Sequence, residues 1–246
     1  MNPGTPVFKA TNGEANCVAI SGNYAYVADW TAGLAIIDIS DPTNLGTPVY
    51  VNINGTAAKV VISGNYAYVA GSGGLNIIDI SDPTNPGTPV NVVLNDNALC
   101  IALSGDYAYL GQFFYKMAII NVSDPTDPGL PKYVDLPEGG IKTRSIATIG
   151  NYVFVQGEEI FRIDVSDPTN ITKVDSIKVD ARIVNDVKVS EDSKICVITK
   201  EGASNRKNGF VILDISNPND VTVLSEYTDG LTGGVHNVFI DNNHVY

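Results

Sequence analysis

The sequence predicts an all-β protein, a β-propeller of four-stranded antiparallel blades with about six blades visible, five complete copies and partial copies at both ends. Three observations carry that reading. The phrase D-[IV]-S-D-P and its nearest variants begin at Asp38, Asp79, Asn121, Asp164 and Asp214, in steps of 41, 42, 43 and 50 residues. Such a period belongs to four-stranded blades or to helical solenoids of similar repeat length. Each copy is rich in Val, Ile, Tyr and Thr and is broken by Gly, Asn, Asp or Pro every ~8 to 12 residues, which excludes helices. The central run of each copy, "LAIIDI", "LNIIDI", "MAIINV", "IFRIDV" and "FVILDI", is apolar on both faces, as in a sheet covered on both sides.

Along the chain, residues 1–10 ("MNPGTPVFKA") match the turn and strand D of a partial blade, and full blades follow at about 15–52, 57–94, 98–135, 143–176 and 182–226. Residues 235–246 ("VHNVFIDNNHVY") match strands A and B of a further copy, so the chain is expected to form one propeller domain, 1–246; one reading is a six-bladed ring in which the N-terminal strand D closes the blade begun at the C-terminus, and the favoured one is that the chain is part of a longer protein. In the first blade the punctuation divides strand A near Asn16–Ile20, B near Tyr24–Ala28, C near Leu34–Ile39 and D near Pro48–Val51. "SGN" at Ser21 and Ser63, and "SGD" at Ser104, form the A-to-B hairpins, where Gly and Asn tolerate φ > 0. "SDPTNPGTP" at 81–89 carries C to D by two successive turns: Ser and Asp bond nearby backbone N–H groups, Pro presets φ, and Pro86-Gly87 suits a type II turn.

"SGNYAYVAD" at 21–29, "GLAIIDISDPTN" at 33–44 and "SDPTNPGTP" at 81–89 together resemble the LVIVD repeat, over essentially the whole chain. Copy five resembles it more loosely, since "SEDSKICVI" stands where the first has "SGNYAYVA". The resemblance implies β-propeller units and a bacterial or archaeal protein that is extracellular or attached to the cell surface. It brings no catalytic residues with it.

The 27 Asp and Glu against 15 Lys and Arg give the 246-residue chain a formal net charge of -12, with no basic run. Such a surface repels phosphate backbones and anionic lipid, which excludes nucleic-acid and membrane-surface partners. No stretch approaches the ~18 to 20 apolar residues of a membrane helix, so membrane insertion is not expected. The N-terminus has neither a charged nor an apolar leader region. Cys17, Cys100 and Cys196 are odd in number and lack CxxC spacing, which reads as plain buried thiols.

Function is expected on the irregular face. In a propeller the repeated A-to-B and C-to-D turns share one face and the variable B-to-C and D-to-A loops the other. A ligand site needs different groups at different places, which the variable loops supply. Among the B-to-C loops, "DWTAG" contributes Trp30 and "GQFFYK" contributes Phe113, Phe114 and Tyr115, an aromatic surface for a protein or glycan partner. "GSGG" (71–74) leaves space between them, and "KEGASNRKNG" (200–209) carries a six-residue insertion. On strand A, one position reads Cys17, Lys59, Cys100, Ser145, Asp186, Asn237 and the next Val18, Val60, Ile101, Ile146, Val187, Val238. This alternation suggests a channel ring and a packed ring.

Arg144, Asn185 and His236 are expected to point toward the channel mouth or a blade interface, with Arg144 and His236 as candidate ligand contacts. No cofactor is expected, although Asp186, Asn185, Asn16 and Asn237 form a candidate oxygen set for calcium, with water the competing occupant. Asp41, Asp82, Asp124 and Asp167 each precede Pro and read as turn caps. The chain has two histidines and no G-x-S-x-G, H-E-x-x-H or P-loop pattern. The first expectation is therefore a non-catalytic, extracellular binding module; the alternative is a channel-centred enzyme, a metal-assisted hydrolase or carbohydrate-active propeller.

Overall fold

The computed structural model describes residues 5–114, 116–136, 143–156, 160–167, 170–177, 179, 184–190, 192, 194–202, 208–217, 220–231, 235, 237–241 and 244–246. Five antiparallel sheets of four strands each follow the repeat, and a two-stranded sheet, Ile240–Asp241 with His244–Val245, follows them. Blade 1 holds strands A to D at Cys17–Ser21, Tyr24–Ala28, Leu34–Asp38 and Val49–Val51, hydrogen-bonded in chain order. In blade 2 they are Ala57–Ser63, Tyr66–Gly71, Gly74–Asp79 and Val90–Val92. In blade 3 they are Ala98–Ser104, Tyr107–Gln112, Lys116–Asn121 and Lys132–Asp135. Blade 4 uses Ile146–Ile149, Tyr152–Gln156, Ile160–Asp164 and Thr172–Ile177, and blade 5 uses Val187–Val189, Ile195–Lys200, Gly209–Asp214 and Thr222–Tyr227.

The chain separates into two compact units, Met1–Ala98 with Asn121–Leu130, and Leu99–Ile120 with Pro131–Tyr246. In the first unit, Tyr26, Leu34, Ile36, Val60, Val69 and Ile78 form one core from the facing sides of blades 1 and 2. In the second, Met117 and Ile119 of blade 3 meet Val153, Phe161 and Ile163 of blade 4. Phe154 and Ile160 of blade 4 likewise meet Val187, Ile198 and Leu213 of blade 5. Strand C is buried on both faces in blades 1 to 4, whereas in blade 5 burial alternates along it; blade 4 shows the reason directly, since one of its faces packs on blade 3 and the other on blade 5.

The A-to-B connections of blades 1, 2 and 4 are two-residue hairpins, with Ser21 opposite Tyr24, Ser63 opposite Tyr66 and Ile149 opposite Tyr152, whereas that of blade 5 is longer, Val189 pairing with Cys196. Gly22, Gly64 and Gly150 take φ of 56°, 55° and 50° at the first central position, the place a type II′ turn reserves for glycine. The C-to-D connection departs from expectation. Gly87 is absent from the left-handed region, so Pro86-Gly87 is no type II turn. Its N–H donates to Asp79 O at 2.8 Å, and a Cβ at Gly87 would press on the Asp79 side chain. Glycine stands there because the loop folds back tightly onto the end of strand C.

Two further readings change. Residues 5–10 carry no strand. The segment instead runs along blade 1, with Lys9 Nζ donating to Leu45 O at 3.3 Å and Asn12 N to Tyr50 Oη at 2.9 Å. Pairing of Tyr24 with Asp38 and of Ile195 with Asp214 gives spans of 14 and 19 residues, so the blade 5 insertion is five residues, not six.

Candidate functional site

The D-to-A connector of the first unit, residues 52–56, lies between two B-to-C loops. Toward blade 1, a Cβ on Gly33 would collide with Val51 O, and Trp30 and Ala57 exchange both backbone bonds, at 3.2 and 2.9 Å. Toward blade 2, a Cβ on Gly73 would collide with Asn54 O, and Thr56 N donates to Ser72 Oγ at 2.9 Å. The "GSGG" loop is glycine-rich so that connector and loop can touch, and it does not leave a gap there.

Beneath the connector is an asparagine cluster that the sequence reading passed over. Asn76, fully buried on strand C, accepts from Asn54 N at 3.1 Å and donates to Asn54 O at 3.2 Å. Asn91 Nδ2 donates to Asn76 Oδ1 and to the carbonyls of Gly73 and Leu75, and its Oδ1 accepts from Asn54 Nδ2 at 3.0 Å. A buried amide of this kind holds a loop only when all its groups are paired. Its signal was present in the sequence: "LNIIDI" places Asn where the first and third copies place Ala.

Trp30 stands beside this cluster, 39% exposed, with φ of 48°, the one non-glycine residue with positive φ among the described residues. A bulky side chain in that region carries strain of order 1–3 kcal/mol. The preceding Asp29 is fully buried and fixes the turn. Its Oδ1 accepts from Thr11 Oγ1 at 2.7 Å and its Oδ2 from Gly13 N at 2.9 Å, so the N-terminal segment locks the base of the Trp30 loop. Asn16 is exposed and belongs to this unit, its Nδ2 donating to Glu14 O.

The other sequence-derived residues belong to the second unit. Phe113 and Phe114 form an edge-to-face pair with centroids 5.0 Å apart, and Phe114 is 63% exposed. Tyr115 and His236 lie outside the described residues. Arg144 is exposed, its NH1 donating to Asn185 Oδ1 at 3.1 Å while its backbone N–H donates to Gln156 Oε1 at 2.7 Å. Asn185 is buried, and its Nδ2 donates to Glu201 Oε2 and Val235 O. Asn237 is exposed.

Asp186 is buried among donors. Its Oδ1 accepts from Ser145 Oγ at 2.8 Å, Val187 N at 3.0 Å and Lys188 Nζ at 2.9 Å, and its Oδ2 accepts from Val238 N at 3.1 Å. The Lys188 ammonium already supplies the positive charge beside it. Among the described residues no group of three or more His, Cys, Asp or Glu gathers to hold a metal ion.

The supposed channel ring turns out to point sideways. Cys17 Sγ reaches Val60 O, Cys100 Sγ reaches Thr143 O, Ser145 Oγ reaches Asp186, and Asp186 reaches Val238 N: these four of its six members contact the beginning of the following copy. In blade 4 the alternation separates its two neighbours: Ser145 faces blade 5 and Ile146 faces blade 3. Val60, Ile146 and Val187 pack into the cores toward the preceding copy. Val18 and Ile20 are 58% and 67% exposed.

On the opposite side the repeated turns satisfy themselves. Asp41, Asp82 and Asp124 each accept from the N–H and the hydroxyl of the threonine two residues on. Asp38, Asp79, Asp164 and Asp214 accept from the following serine N–H in the same way. These bonds hold the carboxyls below the usual carboxylate range.

This pattern of sheets and turns coincides with a repeat already described in other proteins. A family model for the LVIVD repeat matches residues 12–51, 54–92, 97–135, 140–179 and 204–229. The chain belongs to the LVIVD repeat family. Curated proteins contain no match to it. LVIVD architecture is similar to that of several solved structures. A functionally unknown protein from Desulfotomaculum acetoxidans is 16% identical with a TM-score of 0.69, covering 91% of this chain and 73% of its own. The Cps50 (Swd1) β-propeller domain from Myceliophteria thermophila is 14% identical with a TM-score of 0.68, at 90% and 74% coverage. The periplasmic gluconolactonase PpgL from Pseudomonas aeruginosa is 14% identical with a TM-score of 0.71, at 87% and 70%. At such identities the likeness concerns the fold, and the fold is a β-propeller.

Proposed function

We propose that this LVIVD protein is a non-catalytic binding module that meets a protein or glycan partner through its variable B-to-C and D-to-A loops, outside the cell or at its surface. One contrast supports the reading above all. The repeated C-to-D turns bind their own side chains, whereas the variable loops expose Trp30 and Phe114. Exposed aromatics on structured loops are anchors for recognition. The channel-centred enzyme is the weaker alternative, because the most buried carboxylate of the inner strands, Asp186, accepts a bond at each oxygen from groups of its own chain.

The test is a binding screen against glycans and surface proteins, repeated with Trp30→Ala, Phe114→Ala and Asp82→Ala. Loss of binding by at least about fivefold in either aromatic variant is expected. A partner indifferent to both, yet sensitive to Asp82→Ala, would place recognition on the repeated turns and end this reading.

A further inference from the structure

We infer that the loop cluster of the first unit, made by Trp30, the 52–56 connector and Ser72, is a saccharide subsite for a neutral sugar ring. The inference rests on the loop-face reading and narrows it to one ligand class and one place. Its first ground is the set of groups left open. Among the described residues the Trp30 indole N–H has no hydrogen-bond partner, and Asn54 Oδ1 has none either. Ser72 Oγ accepts from both Thr56 N and Thr56 Oγ1, which leaves its own proton free to donate.

The open groups are thus two donors and one acceptor, all uncharged, beside an exposed aromatic face. The carboxylate next to Trp30 in the chain, Asp29, is buried with both oxygens engaged. A sugar hydroxyl donates and accepts at once and suits such a mixture, and the C–H face of a pyranose covers an indole without stranding a polar group. An ionised ligand would find no counter-charge here. The chain's net charge of -12 further disfavours acidic glycans.

Preorganisation is the second ground. Asn76 and Asn91 clamp Asn54 from below with no ligand present. The Trp30–Ala57 backbone bridge ties the aromatic to the same connector, and Asp29 with Thr11 and Gly13 fixes its loop. Trp30 is nevertheless held at φ 48°, which a glycine would adopt without strain. A tryptophan retained in a position suited to glycine points to a use for the indole outside the fold.

The experiment is a neutral and acidic oligosaccharide array on the intact protein, followed by calorimetric titration of the best neutral probe against Trp30→Gly, Asn54→Ala, Phe114→Ala and Asp82→Ala, with Tm recorded for each. The expected result is a neutral oligosaccharide whose affinity falls about fivefold or more in Trp30→Gly and in Asn54→Ala. Tm should be unchanged or raised in Trp30→Gly, a combination that a purely structural tryptophan would not give. A neutral sugar indifferent to both variants but lost in Phe114→Ala overturns this subsite and leaves the loop-face reading standing. One lost only in Asp82→Ala overturns both. Absence of neutral binding, or preference for acidic glycans, overturns the saccharide assignment while the protein arm of the broader screen still decides the loop-face reading.

Discussion

Ser145 Oγ lies 2.8 Å from Asp186 Oδ1, a buried bond from the residue before the first strand of blade 4 to the residue before that of blade 5, and the same carboxylate takes Val238 N from the copy that follows. One side chain therefore ties three successive copies together. Asp186→Ala should lower stability by about 2–3 kcal/mol, because it leaves the buried Val238 N–H without its acceptor and takes the charged acceptor away from the Ser145 hydroxyl. Ser145→Ala should cost about 1 kcal/mol. Urea unfolding of both and of the double variant checks the coupling: the pair should be less than additive by at least ~0.5 kcal/mol. Strict additivity would mean the bond contributes nothing.

Asn76→Ala, which copies the alanine of the first and third blades, should destabilise by about 1–3 kcal/mol, since Asn54 and Asn91 lose buried partners that no alanine replaces. The reciprocal change Ala118→Asn in blade 3 should also be costly, because a fully buried amide would arrive without partners evolved around it. Thermal melts of the two variants test this; a neutral Asn76→Ala would show that the cluster is incidental.

The turn aspartates set the acid limb of stability. Asp38, Asp41, Asp79, Asp82, Asp124, Asp164 and Asp214 have pKa values lowered in the folded protein by side-chain and backbone hydrogen bonds from Ser or Thr. A lowered folded pKa means the stabilisation is fully present above the unfolded value of about 3.9 and is lost as pH falls through the folded values. Tm should hold from neutral pH down to about pH 4 and fall below it. Asn121 occupies the place of Asp38 and accepts the same serine bonds without titrating. Asp38→Asn combined with Asp79→Asn should therefore flatten the acid limb at little cost at pH 7. An unchanged limb would sink the assignment.

Thiol chemistry should follow burial. Desolvation, with the Asp186 charge second, pushes the Cys196 thiol up to about 12, and Cys100 is buried beside Thr143. Iodoacetamide at pH 8 should label Cys17, which is half-buried, well before the other two, and Cys196 only on unfolding. Mass spectrometry of peptides from the native protein decides it; early labelling of Cys196 would contradict the burial.

The blade was legible in the sequence because its causes are local. Apolar strand runs, glycine in two-residue hairpins and aspartate caps two residues before their serine or threonine partners act within a single copy of about forty residues, so repetition displayed each of them several times over. The exposed aromatics of the loops could be named for the same reason: Trp30 and Phe114 interrupt an otherwise repeated pattern. What Cys17, Cys100, Ser145 and Asp186 touch could not be read this way. Alternation on a strand says that two faces differ, and only packing says what each face meets; at Ser145 and Ile146 of blade 4 the two faces meet the two neighbouring blades. The partners of Asn76 lie 22 residues before it and 15 after, and those of Asp29 lie 16 and 18 before. Such hydrogen bonds have no sequence period, because they arise from loops brought together by the burial of strands far from them.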